Sequence, residues 1–600
     1  MSEKLKKRSE IRPEDTWDLE SLYQSEQDWE EALQEVEAAL AQFEPFQNRI
    51  LESSDSLHDL LKLNEELTIK LIHLSLYAHR HSDVDTKNSH YRGLVGRVSD
   101  LGSKFSAATS FIEPEILAND DSLILGYLET DERLKVYAHM IEVLLKQKPH
   151  ILSLNEETLL AKASVVLGSS SSTFSILNNA DLKLPMIANE IGQEVPLSHA
   201  RYSTFLESTN RNVRENAFRG MYEAYGQYRN TFASTLSSTI KYHNFLADIR
   251  HFSSAREKAL FNNHIDESVY DALIESVTTR IDLLHRYVDL RKRVLNLDDI
   301  RMYDLYVPMV EEVDLAITYE EAKTMVIEAL SVLGEEYTNL LHKAFNERWI
   351  DPFENEGKRS GAYSSGAYGT KPFILLNWQD TLDNVYTLAH ELGHSIHTYY
   401  STNNQPFVYS SYSIFLAEVA STTNENLLTD YLLKKYDDPK IRAYIINHYL
   451  DGVKGTVYRQ TQFAQFEHLI HTLDQKGTPL TADLLSEKYG ELNKFYYGEA
   501  MTYDDEISLE WARIPHFYYD YYVYQYATGF SAASALADKI LNQGQEAIDA
   551  YLNYLKAGSS DYPIEVLKKA GVDMSTPKAT NDALNLFEQR LTELEELLIK

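Results

Sequence analysis

The 600-residue chain contains no cysteine, which excludes disulfides, thiolate metal ligands, iron–sulfur clusters and cysteine nucleophiles. It is also poor in residues that break helices, because 23 glycines and 15 prolines are about half of the usual share. Few breakers indicate long secondary-structure elements, and long elements are typically helices. The composition therefore predicts a mainly α-helical protein with a large buried core.

Positive charge is scarce as well, since 57 lysines and arginines face 91 aspartates and glutamates. The acidic residues are spread along the chain, so no basic face is expected for contacts with phosphates. No apolar run approaches the ~18 residues of a membrane-spanning helix, and the basic N-terminus is not followed by the apolar segment of a signal peptide. We therefore expect a cytoplasmic protein that binds neither nucleic acid nor membranes.

Breaker residues indicate how the chain is organised. Two prolines and a glycine cluster in residues 182–200, where a short hairpin would fit. We place the main boundary there, which predicts an N-terminal helical domain at 1–200 and a second domain at 201–600. Within the second domain, a glycine-rich segment leads into Phe373–Asn377, which begins with an apolar run that is too short for a helix and typical of a strand.

The strongest chemical signal is HELGH at residues 390–394, an H-E-x-x-H pattern in a predicted helix that is capped by Asp380 or Thr381. Histidines four residues apart share one helix face, so His390 and His394 can reach a single ion. Glu391 points about 100° around the helix and can contact a water on that ion without binding the ion. The pattern favours metal-assisted hydrolysis, and two structural histidines beside a surface glutamate are the alternative.

A third ligand is expected from the segment that follows. Glu418 interrupts the apolar run of residues 414–420 in a second predicted helix. A carboxylate among apolar residues needs a strong partner, because burying an unpaired charge is costly. A zinc ion would be that partner. Glu425 lies two turns further on the same face, where it is either an exposed carboxylate or the acceptor for the second ring N–H of a ligating histidine.

Four segments carry a resemblance to a known family. They are GAYSSGAYGTKPFILLNW, HELGHSIHTYYSTNNQPFVYSSYSIFLAEVASTTNE, WARIPHFYYDYYVYQYATGF and GSSDYPIEVLKKAGVD. Together they resemble oligoendopeptidase F, of the thimet oligopeptidase-like zinc metallopeptidases. The thimet branch has proline two residues after the third ligand, whereas Ala420 stands here, which favours the oligoendopeptidase F branch. The resemblance implies a large helical zincin-type fold with a small β element beside the active-site helix and a deep substrate channel.

The resemblance also implies a mechanism. One zinc ion per chain would be held by His390, His394 and Glu418, and Glu391 would be the general base. The protein would be a zinc-dependent endopeptidase that hydrolyses short, unstructured oligopeptides by Glu-assisted attack of zinc-bound water. The predicted strand at Phe373–Asn377 would align the substrate backbone by edge pairing.

The family further supplies hydrogen-bond donors to the oxygen of the scissile carbonyl. By this resemblance His516, Tyr521 and Tyr524 would take that role, the two tyrosines sharing one face at a spacing of three residues. An aromatic packing face is the alternative, because the chain has 41 tyrosines.

Two other functions fit the same sequence. A carboxypeptidase or dipeptidyl carboxypeptidase would share the zinc core but would need a cationic pocket for the substrate C-terminus. An inactive helical scaffold is disfavoured, because candidate ligands, base and oxyanion donors are all present.

Overall fold

The computed structural model describes residues 4–310, 313 and 315–599, and helices dominate it, as predicted. The chain forms two compact units, each assembled from three separate segments. The first unit comprises Met1–Pro149, Leu315–Tyr431 and Leu536–Gly571, and the second comprises His150–Asp314, Leu432–Ala535 and Val572–Lys600. Residue 200 lies inside the second unit, and the proposed domains at 1–200 and 201–600 stay a prediction.

The described residues up to Pro149 fold into helices that pack through leucine faces. In α2, Ser53 caps the helix by accepting from the Ser56 N–H, and Leu74 packs with residues of α1 and α3 in one buried cluster. These helices are α1 (Glu26–Ala39), α2 (Ser54–Val84), α3 (Ser89–Thr109), α4 (Ile112–Ala118), α5 (Asp121–Thr130) and α6 (Ala138–Lys146).

The next stretch of chain belongs to the second unit and opens with two helices, a hairpin and a helical block. Its elements are α7 (Leu154–Leu167), α8 (Ser169–Ile176), β1 (Met186–Ala188), β2 (Glu194–Pro196), α9 (His199–Leu206), α10 (Arg211–Gln227), α11 (Arg229–Ile249), α12 (Ala255–Phe261), α13 (Glu267–Thr279) and α14 (Ile281–Val294). Strands β1 and β2 pair antiparallel, with Ile187 opposite Val195, so the predicted hairpin is confirmed.

The chain then returns to the first unit and builds a small sheet beside two long helices. These elements are α15 (Tyr319–Leu330), α16 (Glu335–Asn346), β3 (Ile350–Asp351), β4 (Tyr363–Ser365), β5 (Phe373–Leu375), α17 (Leu382–Asn404) and α18 (Ile414–Lys435). Of the two predicted caps, Asp380 and Thr381, it is Thr381 that caps α17, by accepting from the Asn384 N–H.

The rest of the chain is again helical. Its helices are α19 (Pro439–Val453), α20 (Arg459–Gln475), α21 (Ala482–Tyr497), α22 (Tyr524–Gln543), α23 (Gln545–Lys556), α24 (Pro563–Lys569) and α25 (Lys578–Leu598). Within the described part of the chain, no helix is both long enough and apolar enough to cross a membrane.

The sheet of the first unit confirms the predicted strand at Phe373 but not its predicted use. Its strand order is β3-β5-β4, with β3 parallel and β4 antiparallel to β5. Strand β5 is therefore hydrogen-bonded on both sides and has no edge to offer to a substrate. The expectation that Phe373–Asn377 pairs with a peptide is wrong. The edge strands of this sheet are β3 and β4.

Helices α17 and α18 approach closely at Gly393. A Cβ atom on residue 393 would lie 2.6 Å from Cα of Ser421 and 2.9 Å from the carbonyl oxygen of Ala420. Real Cβ atoms do not approach backbone at such distances, so only glycine fits this crossing.

We expect Gly393→Ala to destabilise the protein, because the methyl group must push the backbone of α18 away. Overpacking of this kind costs roughly 1–3 kcal/mol, which a lower unfolding midpoint in urea or on heating would report. The matched control is Gly96→Ala in α3, where a Cβ would meet nothing within 4 Å. That variant should gain roughly 0.5–1 kcal/mol from helix propensity. A Gly393→Ala protein as stable as the wild type would contradict the tight crossing.

Candidate metal centre

His390 and His394 point to one place because they lie one turn apart on α17. Their Nε2 atoms are 3.1 Å apart, and α18 brings Glu418 Oε2 to 3.4 Å from His390 Nε2 and 3.6 Å from His394 Nε2. Ligands bound to one ion at ~2.0–2.1 Å in tetrahedral geometry lie roughly 3.3 Å apart. The three atoms are therefore spaced to share a metal ion.

Glu425 determines which ring nitrogen of His390 faces the ligand atoms of His394 and Glu418. The Nδ1–H of His390 donates to Glu425 Oε1, because a carboxylate accepts. In the neutral ring the lone pair is then on Nε2, directed to Glu418 and His394. A carboxylate in this position fixes the orientation of a ligating imidazole and increases its basicity.

Glu391 lies beside the three atoms without joining them. Its side chain is buried, with 7% of the residue exposed, and among the described residues Oε2 has no hydrogen-bond partner. A backbone hydrogen bond from Ser364 of β4 reaches the carboxylate. Burial raises the pKa of Glu391 to about 7, against an opposing effect of His390. A carboxyl group with this pKa can both accept and release a proton at neutral pH.

The two histidines differ in protonation. Burial lowers the pKa of both rings, but the hydrogen bond to Glu425 and the nearby carboxylates raise that of His390 to about 9. Burial and the neighbouring His390 lower the pKa of His394 to about 4. In the protein alone, one proton therefore stands among the ligand atoms. A divalent metal would displace it, since only deprotonated ligands bind metal. The donor set fits such an ion.

The structure places the other predicted residues in the second unit. His516 lies in a short 3-10 helix, Pro515–Tyr518, with proline at its first position as the sequence suggests. The expectation that Tyr521 and Tyr524 share a helix face is wrong, because α22 begins only at Tyr524. Asp520 and Tyr521 have φ values of 49° and 60°, in the left-handed region that a continuous helix excludes.

The two predicted tyrosines are buried away from the imidazole of His516. Tyr521 is 3% exposed and Tyr524 is 0% exposed, and the hydroxyl of Tyr521 lies 3.2 Å from His468 Nδ1. The half-buried Tyr522 and Tyr526 lie closer to His516. The Tyr526 hydroxyl is 3.5 Å from His516 Nε2, and the ring of Tyr522 lies nearly parallel to the imidazole at 6.3 Å.

Sequence reasoning assigned no role to Ser364, Tyr522 or Tyr526. Ser364 contacts the candidate base through its backbone and Ser395 of α17 through its hydroxyl, at 2.7 Å. The glycine-rich segment signalled a loop but gave no sign that its end would become β4. The tyrosines that lie near His516 could have been distinguished only by a break in the helix at residues 520–521.

Comparison with known proteins agrees with this geometry. The sequence profile of peptidase family M3 matches residues 204–586, and a profile described as Oligopeptidase F matches residues 115–183. The chain is 51% identical over 593 residues to Oligopeptidase PepF of Bacillus subtilis, covering 99% of this chain and 88% of that protein. It is 46% identical over 596 residues to an Oligoendopeptidase F homolog of Lactococcus lactis, covering 99% of each.

A solved structure is similar as well. The crystal structure of oligoendopeptidase-F from Enterococcus faecium has a TM-score of 0.75 and 48% sequence identity, covering 95% of this chain and 99% of that chain. The resemblance drawn from the four sequence segments is thus confirmed, and it favours an endopeptidase over the carboxypeptidase alternatives. The chain therefore belongs to peptidase family M3, among the oligoendopeptidases F, and is a metalloendopeptidase that acts on peptides.

Proposed function

We propose that the catalytic metal is zinc, one catalytic ion per chain, held by His390, His394 and Glu418. The observation that carries the proposal is the spacing of their three ligand atoms, 3.1 to 3.6 Å, beside a buried and unpartnered oxygen of Glu391. Two imidazoles and one carboxylate suit zinc, and three protein ligands leave a fourth position open. When bound, zinc would polarise the scissile carbonyl and lower the pKa of water at the site.

Glu391 is the general base in this proposal. Its Oε2 accepts the proton of the attacking water, while the backbone N–H of Ser364 holds the carboxylate in place. The same oxygen then delivers the proton to the leaving amine, which a pKa near neutrality permits. Glu391 is not a ligand in this proposal, because its side chain lies about 100° around the helix from the face that His390 and His394 share.

Strand β4 supplies a place for the substrate backbone. It lies at the edge of the described three-stranded sheet, and its Ser364 contacts both Glu391 and Ser395. A short, unstructured peptide that pairs along this edge would run beside the metal ligands of α17, and a folded protein could not supply such a free strand. The cytoplasmic location expected from the sequence stays a prediction.

The donor to the carbonyl oxygen is proposed to come from the segment around His516. Burial and the nearby Arg459 lower the pKa of His516, so its ring is neutral at pH 7 and can donate one N–H. Tyr522 and Tyr526 offer hydroxyls beside it. Tyr521 and Tyr524, which the sequence suggested for this role, are buried, so their hydroxyls are less accessible to a substrate.

Two isosteric variants separate the base from the ligand. Glu391→Gln should retain zinc but lose several orders of magnitude in kcat, because an amide cannot accept the proton. Glu418→Gln should lose zinc and activity together, because a neutral amide is a weaker ligand. Zinc content by mass spectrometry and hydrolysis of a peptide blocked at both ends provide the readouts. Loss of zinc from folded Glu391→Gln, or full zinc occupancy and activity in Glu418→Gln, would contradict the assignment.

Four tyrosine-to-phenylalanine variants decide which hydroxyl donates to the transition state. We expect Tyr522→Phe or Tyr526→Phe to lower kcat and kcat/KM together by about 10²–10³, with zinc content unchanged. Tyr521→Phe and Tyr524→Phe are the matched controls, since they remove buried hydroxyls and should leave kcat within about tenfold. A loss confined to Tyr521→Phe or Tyr524→Phe would restore the assignment made from the sequence.

A further inference from the structure

A second cluster of metal-ligating side chains lies within the second unit. His243 on α11 and His471 on α20 are buried, and their Nδ1 and Nε2 atoms, respectively, are 3.1 Å apart. Asp520, in the loop before α22, places Oδ1 3.5 Å from His243 Nδ1. The three residues each offer a ligand atom, and these atoms lie within 4.8 Å of one another.

The hydrogen bonds of His471 leave a lone pair directed at the centre of this cluster. Its Nδ1 lies 2.8 Å from the backbone carbonyl oxygen of Glu467. A carbonyl can only accept, so Nδ1 carries the proton and Nε2 of the neutral ring carries the lone pair. The rings of His243 and His471 are nearly parallel, at 5°, and their facing nitrogens cannot both hold a proton without repulsion.

Only one of the two carboxylate oxygens of Asp520 accepts a hydrogen bond from the described residues. Oδ2 accepts from Lys258 Nζ at 2.7 Å, whereas Oδ1 is buried and has no hydrogen-bond partner among the described residues. A buried carboxylate oxygen without a partner is costly and calls for a donor or a cation. In the protein alone, a proton on His243 Nδ1 can satisfy His471 but leaves this oxygen unsatisfied.

The backbone around Asp520 is held in a strained form that fixes this oxygen. Asp520 and Tyr521 both have positive φ, at 49° and 60°, which is unfavourable for a bulky residue such as tyrosine. The N–H of Tyr521 donates to Glu467 Oε1 at 2.7 Å, so the loop is tied to α20. The strain persists because the surrounding contacts outweigh it.

We propose that His243, His471 and Asp520 bind a second divalent transition-metal ion, separate from the one that His390, His394 and Glu418 bind. Two of the three spacings, 3.1 and 3.5 Å, fall within the 3.1 to 3.6 Å range of that first cluster, and all three ligand atoms lie within 4.8 Å of one another. Two imidazoles with one carboxylate select zinc or a similar borderline ion over magnesium or calcium, which prefer oxygen ligands.

The role of this ion is structural. It satisfies the ring nitrogens and Asp520 Oδ1 together, and it ties the loop between His516 and Tyr522 to α11 and α20. The side chain of Asp520 is 23% exposed, and this exposed part is the route by which an ion would enter.

Zinc stoichiometry tests the site without reference to activity. Protein stripped with a chelator is loaded with Zn²⁺, dialysed, and measured by mass spectrometry. We expect about two ions per chain in the wild type, about one in the His390→Ala/His394→Ala variant, and none when Asp520→Asn is added to it. Co²⁺ loaded into the His390→Ala/His394→Ala variant should show the visible absorption of a tetrahedral nitrogen and oxygen site, which remains informative should Asp520→Asn fold poorly.

The matched control is Asp474→Asn on α20. Asp474 also pairs with a lysine, Lys241, but has no place in the cluster, so this variant should keep both ions. The proposal is overturned if the wild type binds one ion and the His390→Ala/His394→Ala variant binds none. It is equally overturned if the ion retained by that variant survives Asp520→Asn. Failure at this cluster leaves the first metal site untouched, because the variants report the two sites separately.

Discussion

The crossing of α17 and α18 at Gly393 is the constraint on which the metal centre depends. With no side chain at residue 393, the backbone of Ser421 lies directly against α17. His390 and His394 flank the crossing on one helix, and Glu418 and Glu425 flank it one turn to either side on the other. Any residue larger than glycine would separate the two helices and pull both carboxylates away from the imidazoles they serve.

The electrostatics of the centre follow from that packing. Three carboxylates, those of Glu391, Glu418 and Glu425, surround two partly buried imidazoles, and protons offset part of their negative charge. The pKa of His390 is raised to about 9 by the nearby carboxylates, against the effect of burial. The pKa of Glu391 is raised to about 7 mainly by burial, and Glu418 and Glu425 add to this effect. In the proposed site, a divalent ion would replace the proton on the ligands and leave Glu391 next to it, so metal binding would prepare the proposed base.

Local patterns were sufficient to predict the helical fold, the H-E-x-x-H helix with its cap at Thr381, and the strand at Phe373. Glu418 could be proposed as a ligand because a carboxylate within an apolar helical run needs a partner. The strand order could not be predicted, because β5 becomes central only through pairing with Ile350, far from the hairpin that joins it to β4. The prediction that Tyr521 and Tyr524 share a helix face was wrong for a related reason. Nothing in six closely spaced tyrosines signals that the backbone turns left-handed at Asp520 and Tyr521, which exchanges the tyrosines that face His516.

Anomalous X-ray diffraction at the zinc absorption edge, from crystals of the zinc-loaded protein, tests the central claim most directly. We predict a peak at about 2.0–2.2 Å from Nε2 of His390, Nε2 of His394 and an oxygen of Glu418, with Glu391 outside bonding distance. The absence of a peak between these three side chains, or Glu391 among the ligands in place of Glu418, would contradict the account.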